Sequence, residues 1–505
     1  MDTAQLDKDE LREIINVQQE KIAALEEQLR LAALKKYGKK SEKTDYDHPD
    51  MFADLLPDIE SEETPEPDCI EVSTHKRGKR SKLSKDLPTK QVHYYLSDNE
   101  LTCQCGSCLT EIKSTISTKQ YDYVPAKVTV IEHVQHKYAC QSCKNNIKVA
   151  PKEPQPIPKS NASVNLLAQI VTARCVDGLP FARQEKQWQR LGINIKRNTM
   201  SRWAIALAQL STPLINLFED AIRSGPVIHC DETPQQVNKE PGREVNQKSY
   251  MWVRLGGKHN RQVVLYHYDQ SRSGATARSL MADYKGYVQC DRYSAYNGLE
   301  LQGITLVGCF AHVRRKFNEA LKACHKKEIQ QRTKAYQALG IIKELYKIEK
   351  EIKTLNPHEK KLKRQELSIP ILNKLKAWLD QQEKTVLPKS LLGKAIGYTQ
   401  RQWKKLIRYC DCGDLDIDNN RDERAIRPFA IGRRAWLFSD TPAGAHANAT
   451  LYSLTETAKL HGWEPSEYLK RIFKELPKAQ CAEDFEKLMP WVKDDDNIVD
   501  ALVKC

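Results

Sequence analysis

The sequence predicts a multidomain α/β chain whose central domain is a mixed five-stranded sheet with helices, split by a large helical insertion. Two short apolar runs end in a carboxylate, Val227-Ile228-His229-Cys230-Asp231 and Gly286-Tyr287-Val288-Gln289-Cys290-Asp291. Each reads as a buried strand that delivers an acid at its C-terminal end. Between them lie two strand candidates, 249–255 and 262–268, joined by the turn-forming Gly256-Gly257-Lys258-His259-Asn260 and followed by a helical stretch over 274–284. A further apolar strand over 303–309 leads into a helix over 311–323. This is the element order of a ribonuclease-H-like core, in which the first and fourth strands lie side by side and bring their acids together. With one more acid from downstream, such a pair makes a two-metal phosphoryl-transfer site.

A chain of 505 residues is too long for one ordinary domain. A hydrophobic content of 40% supports real cores, and 29% charged residues argue for a soluble protein. The formal charge of +14 favours polyanionic partners, nucleic acid first and an anionic membrane second. No apolar run is long enough to span a bilayer, and the start, Met1-Asp2-Thr3-Ala4-Gln5-Leu6-Asp7-Lys8, has no signal-peptide core. The expectation is therefore a cytoplasmic protein with no membrane partner. Its fifteen cysteines are scattered apart from one cluster, which in a reducing compartment points to a metal site rather than disulfides.

Residues 1–40 read as a coiled-coil helix that joins at least two copies of the chain. Leu11, Ile15, Ile22, Leu25, Leu29 and Ala32 fall on a and d positions, with Gln18 the polar interruption. An amphipathic helix packed on its own domain would show the same pattern. Residues 41–95 read as a linker, acidic and proline-bearing at first and then basic at His75-Lys76-Arg77-Gly78-Lys79-Arg80-Ser81-Lys82. That run is either a solvated tail or a phosphate-contacting arm. Residues 96–155 carry Cys105-x2-Cys108 and Cys140-x2-Cys143 on either side of a strand-rich span, the pattern of a structural zinc ribbon, with Cys103 a substitute in the first knuckle. Four thiolates leave no open position for water, so this Zn²⁺ serves folding and DNA docking.

Residues 156–222 read as helices, over 164–176, 181–191 and 199–207, with a glycine-containing turn at Gly192 and Lys196, Arg197 and Arg202 close by. A helix-turn-helix DNA reader and a plain helical bundle look alike at this level. The core then occupies 223–323, a charged helical insertion 324–413, the second part of the core 414–449, and a helical C-terminal region 450–505.

The insertion ends in a segment dense in carboxylates, and Glu423 is the third ligand chosen from it. With Asn420 as cap, Glu423 sits in the first turn of a helix, where the helix N-terminus tolerates and holds a carboxylate. Asn-x-x-Glu is equally a capping box, Glu423 with Arg427 an ordinary i,i+4 pair, and Asp418 and Asp422 compete for the role. Glu232 faces away from Asp231 if the strand persists, and Cys230 and Cys290 read as small buried strand residues. Three basic clusters accompany the acids: Arg314, Arg315 and Lys316; Arg424 and Arg427; Arg433 and Arg434. Their guanidinium groups are expected to grip DNA phosphates.

Several stretches are family-like: Lys36-Tyr37-Gly38-Lys39-Lys40-Ser41-Glu42-Lys43 after the zipper-like helix, the cysteine pairs, and Gly178-Leu179-Pro180-Phe181-Ala182-Arg183-Gln184. The most specific are Ile417-Asp418-Asn419-Asn420-x-x-Glu423-Arg424-x-Ile426-Arg427-Pro428 and Ile431-Gly432-Arg433-Arg434-x-Trp436-Leu437-Phe438, followed by the tail from Tyr452 to Leu469. On these residues the chain resembles, over nearly its whole length, the DDE transposases of bacterial insertion sequence family 66. The first cysteine knuckle departs from the family's commoner spacing. The resemblance implies Asp231, Asp291 and Glu423 as the triad, holding two Mg²⁺ (or Mn²⁺) ions beside the structural Zn²⁺. It implies cleavage at insertion-sequence ends and transfer of the 3′-hydroxyl into target DNA. The partners implied are transposon ends, target DNA, a second copy of the chain and accessory proteins of the same element, on the bacterial nucleoid. The rival readings are a nuclease of the same fold without strand transfer and a zinc-ribbon regulator whose acids are structural.

Overall fold

The computed structural model describes residues 128–139, 147–244, 247–291, 293–323 and 331–492. The segments expected to form a coiled coil and a linker, and the expected zinc ligands Cys103, Cys105, Cys108, Cys140 and Cys143, lie outside them. The described residues fall into two units. One contains an antiparallel pair, β1 (Lys137–Ala139) and β2 (Ile147–Val149), in register Lys137↔Val149, with the second cysteine pair in the connection between the strands.

The other unit spans 151–492 and opens with four helices, α1 (Val164–Cys175), α2 (Phe181–Arg190), α3 (Arg197–Leu210) and α4 (Thr212–Arg223). Ser163 caps α1 by accepting the Leu166 amide, and Pro180 starts α2 where no amide hydrogen is needed. Along α3, Met200, Trp203 and Leu207 recur at helical spacing and are buried.

The sheet follows: β3 (Val227–Val237), β4 (Lys248–Gly256), β5 (Val263–Asp269), β6 (Tyr287–Cys290), β7 (Thr305–Val307) and, far downstream, β8 (Phe438–Ser439). The strand order is β5-β4-β3-β6-β7, with β3 to β5 antiparallel and β3, β6 and β7 parallel. This is a ribonuclease-H-like mixed sheet, and its first and fourth strands are neighbours. Two expected boundaries move. The strand bearing Asp231 does not end there: it runs on to Val237, because β4 continues to pair with it through Gln236↔Lys248. The helix α5 (Gly274–Leu280) stops short of 284, since Asp283 takes a left-handed backbone (φ 64°).

After β7 comes α6 (Phe310–Lys322), and then the insertion: α7 (Lys334–Glu351), α8 (Pro357–Lys363), a π-helical turn (Arg364–Ser368), α9 (Ile369–Glu383) and α10 (Leu391–Ile407). These helices bury Ile342, Leu345, Leu375, Leu379, Ile396 and Leu406 against Phe310 and Phe317 of α6. The insertion thus has a core of its own that grows from the helix behind the sheet. The chain returns through α11 (Asn420–Trp436), β8, α12 (Pro442–Leu460), α13 (Pro465–Glu475) and α14 (Ala482–Glu486).

The sheet edge at β5 is covered by α12. The Tyr266 amide donates to Ser453 Oγ (2.8 Å) and the Val264 amide to Thr457 Oγ1 (3.0 Å), which satisfies donors that an open edge would expose. Among the described residues no helix is long and apolar enough to cross a membrane.

His267 on β5 is half-buried, and burial followed by the nearby Arg254 charge pushes its pKa down to about 4. The folded chain therefore keeps His267 neutral where the unfolded chain protonates it. Stability from this residue is full above pH 6.5 and drains away as pH falls toward 4, by up to about 3 kcal/mol. Replacement by Phe is expected to flatten the fall of Tm between those two pH values; an unchanged profile would discount His267 as its cause.

Candidate active site

The parallel register of β3 and β6 pairs Cys230 with Cys290, so Asp231 and Asp291 follow on neighbouring strands. Backbone spacing there is about 4.8 Å. Each carboxylate is held by the chain just beyond it: Asp231 Oδ1 accepts the Glu232 amide (2.8 Å), and Asp291 Oδ1 accepts the Tyr293 amide (2.7 Å). Beyond these acids β6 stops while β3 continues, which opens the sheet at this point.

Glu423 comes from the first turn of α11, and a side chain two elements away fixes where that helix starts. Asn419 Oδ1 lies 2.9 Å from His229 Nδ1, and the Asn419 backbone N–H donates to Cys309 Sγ (3.2 Å). With Asn419 committed to β3, the capping box expected from Asn420 and Glu423 does not form. Asn419 stands at the cap position without a side-chain cap, and Asn420 is the first helical residue, its amide group donating to Asp418 Oδ2 (2.8 Å). Glu423 Oε1 lies 4.0 Å from His312 Nε2 and Oε2 lies 3.9 Å from Arg315 Nη2, both on α6.

The electrostatics are those of anions crowded together. Burial pushes the Asp231 carboxyl well above the usual range, and the charges of Glu232, Asp291 and Glu423 add to it. Burial likewise raises Glu423 to about 7, with Arg315 pulling it back and Asp418 and Asp291 pushing it further. Asp231 and Glu423, both pushed up with Asp291 among the charges responsible, belong to a donor set that a hard dication fits, because it takes carboxylates and removes their repulsion.

Glu232 shows why the two aspartates hold their places. It does point away from Asp231, into an ion pair in which Glu232 is buried and Arg272 half-exposed (Nε to Oε1 2.7 Å), and it accepts the Tyr296 hydroxyl. The Arg272 guanidinium lies 3.8 Å from the centre of the Tyr293 ring, and the Tyr293 hydroxyl donates back to the Arg272 carbonyl (2.7 Å). Tyr293 also holds Asp291, so one network joins the strand ends that carry both acids. Sequence reasoning missed Arg272, Tyr293 and Tyr296; an arginine after a strand and two tyrosines in a 3₁₀ region carry no local signal of a shared partner. Arg272→Ala leaves the buried Glu232 charge with only the Tyr296 hydroxyl for a partner, so it is expected to cost about 3 kcal/mol. Thermal melting checks this, and an unchanged Tm would show the pair to be dispensable.

The competing acids occupy different surroundings. Asp418 is buried and already bonded to Asn420 and to the Tyr346 hydroxyl (3.0 Å), a structural role. Asp422 is fully buried with neither oxygen hydrogen-bonded among the described residues, and burial, followed by the Asp231 charge, pushes its carboxyl well above the usual range. Cys230 and Cys290 are buried thiols pushed far up by burial.

The basic clusters split. Of the first, Arg315 reaches Glu423, while Arg314 lies over the Tyr346 ring (5.3 Å) and Lys316 over that of Tyr398 (5.1 Å), both on the insertion. Arg424, Arg427 and Arg434 are exposed on α11, and Arg433 donates to Thr233 Oγ1 on β3 (3.2 Å).

Four matches to known families cover most of the chain. Residues 159–447 match the family described as Transposase IS66 family, and 453–491 match the IS66 C-terminal element. Residues 100–144 match the zinc-finger binding domain of transposase IS66, and 24–92 match the family described as Transposase C of IS166 homeodomain. Two uncharacterized proteins of Sinorhizobium fredii are similar along their length. One, y4jD, is 29% identical over 81% of this chain and 81% of its own, and another, y4qI, is 28% identical over 78% and 74%.

Proposed function

The chain belongs to the IS66 family of transposases, enzymes of DNA transposition, and on that premise we propose that Asp231, Asp291 and Glu423 are its catalytic triad. The family implies a divalent metal, and these three carboxylates would hold it, as Mg²⁺ or Mn²⁺, in a pair. Bound there, the ions would polarise the scissile phosphate and lower the pKa of the attacking hydroxyl. The reaction has two displacements at phosphorus. Water attacks at the end of the insertion sequence and the P–O3′ bond breaks, leaving a 3′-hydroxyl. That hydroxyl then attacks a phosphodiester of target DNA, forming a new P–O bond and expelling the target's own 3′-oxygen.

The protein's part is placement. Glu232, Arg272 and Tyr293 hold the two strand ends, Asn419 sets the start of α11, and His312 and Arg315 steady Glu423. The exposed Arg424, Arg427 and Arg434, with Arg433 beside them, take DNA phosphates. Arg314 and Lys316, which lie over tyrosines of the insertion, are further phosphate contacts in this reading. A structural Zn²⁺ on Cys105 (or Cys103), Cys108, Cys140 and Cys143 and a dimer formed through residues 1–40 complete the reading. Its setting is the bacterial cytoplasm, on chromosomal DNA.

The observation that supports this most is the Cys230↔Cys290 register, which puts Asp231 and Asp291 at adjacent strand ends, together with the charges of Asp291 and Glu423 that act on Asp231. The test is a strand-transfer gel with labelled insertion-sequence ends, target DNA and Mg²⁺, with and without accessory proteins of the element. Joined products are expected. Nicked ends with no joining would make the protein a nuclease of the same fold, and binding with no metal-dependent product would make it a regulator.

A further inference from the structure

We propose that Cys309, His312 and Glu423 form a second metal site, selective for a thiophilic dication such as Zn²⁺, whose occupation withdraws Glu423 from the two aspartates and switches the enzyme off. The inference rests on the reading of Glu423 as the third acid and adds to it a regulatory ligand.

The three side chains each offer one ligand atom, and these atoms all lie within 4.8 Å of one another. Cys309 immediately precedes α6 and His312 lies one turn into it, so the helix itself sets the sulfur-to-imidazole spacing. Glu423 meets them from α11, its Oε1 4.0 Å from His312 Nε2. One thiolate, one imidazole and one carboxylate make a three-ligand set of the kind that binds Zn²⁺ tetrahedrally with a fourth position left to water. Mg²⁺ takes oxygen ligands and has little use for sulfur, so the all-oxygen set of Asp231, Asp291 and Glu423 and this mixed set prefer different ions.

The surroundings suit an occasional occupant. Cys309 is 3% exposed, so its thiol is shielded from solvent. The Asn419 amide that donates to its sulfur at 3.2 Å would stabilise the thiolate once formed. When the metal–sulfur bond forms, the thiol proton leaves to solvent, so the site fills only for an ion that binds sulfur strongly enough to displace it. His312 and Glu423 are partly exposed and provide the approach. Because Glu423 belongs to both sets, a soft ion here and a full pair of hard ions at the aspartates exclude each other.

The test uses the full chain with its zinc ribbon already loaded, and Co²⁺ as the spectroscopic probe. One further equivalent of Co²⁺ is expected to bind with a sulfur-to-cobalt charge-transfer band. That band should vanish in Cys309→Ser and weaken at least tenfold in affinity in His312→Gln, which leaves the buried thiol in place. In cleavage assays at constant excess Mg²⁺, Zn²⁺ should inhibit the wild type, and each variant's inhibition midpoint, normalised to its own uninhibited rate, should rise at least tenfold. Absence of the band, or a band unchanged in both variants, would overturn the proposal. A missing band with an inactive Glu423→Gln would sink the soft-metal site alone. A fully active Glu423→Gln would sink the third-acid reading, whatever the cobalt spectrum shows.

Discussion

Asp231→Asn is expected to abolish both cleavage and joining, by on the order of 10³-fold or more, equivalent to about 4 kcal/mol of transition-state stabilisation. The amide keeps the shape of the carboxylate, so binding to the insertion-sequence ends should be unchanged. What it lacks is the negative charge that a hard dication requires. A second readout moves in the opposite direction. The folded protein holds Asp231 among like charges with its pKa pushed up, so ionisation at neutral pH costs the metal-free fold stability. Stability contributed by the protonated form is full below the unfolded carboxylate pKa and is lost as pH rises through the folded one. The asparagine variant should therefore melt higher than wild type in chelator at neutral pH, and should lose the stabilisation that Mg²⁺ or Mn²⁺ gives the wild type. Retained strand transfer, or a lower Tm in chelator, would defeat the assignment.

Arg364→Ala is expected to destabilise the fold by about 3–5 kcal/mol, the range for removing one partner of a buried ion pair. Its side chain is 2% exposed and forms two bonds to Glu349 (2.9 and 2.7 Å). It also donates to the carbonyls of Tyr409 (3.0 Å), Cys412 (3.0 Å) and Leu415 (2.8 Å). Those carbonyls line the exit of the insertion, one step before the segment that leads to Glu423. Lysine should not rescue the loss, since a single ammonium cannot serve a bidentate carboxylate and three carbonyls at once. Thermal melting with limited proteolysis checks this: the expected result is a lower Tm with new cleavage near residues 409–415. An unchanged melt would show the arginine to be replaceable.

The two aspartates were legible because burial and chemistry coincide in one short run: apolar residues up to the acid, then a break in the pattern. The continuation of β3 past Asp231 was not, since Thr233-Pro234-Gln235-Gln236 alternates too weakly to signal a strand, and its partner β4 decides the matter. Asn419 was hidden by its neighbour. Asn420 looked like the cap, but the contact that positions α11 joins residues 190 apart in the chain. The cluster Arg314-Arg315-Lys316 divides for a geometric reason. Successive residues on a helix point about 100° apart, so three in a row cannot face one site. Arg315 shares a face with His312, three residues before it, and those two meet Glu423. The Glu232–Arg272 pair depends on tertiary pairing across 40 residues, where local pattern carries nothing.

The segment from 416 to 419 also determines how tolerant the enzyme is of change behind it. The Asp416 carbonyl accepts Gln289 Nε2 (2.7 Å) on β6, and the Ile417 carbonyl accepts the Phe310 amide (3.1 Å) at the head of α6. Beyond the far end of α11 the chain is anchored again, where β8 adds to β3 at Gln236↔Phe438. The helices between α6 and α11 thus form an excursion whose entrance and exit are both stitched to the sheet. Lengthening such an excursion raises closure entropy by only about 0.6 kcal/mol per doubling. Its size and cargo are free to diverge among related elements, or to be exchanged by design, while the aim of Glu423 stays where the stitches put it.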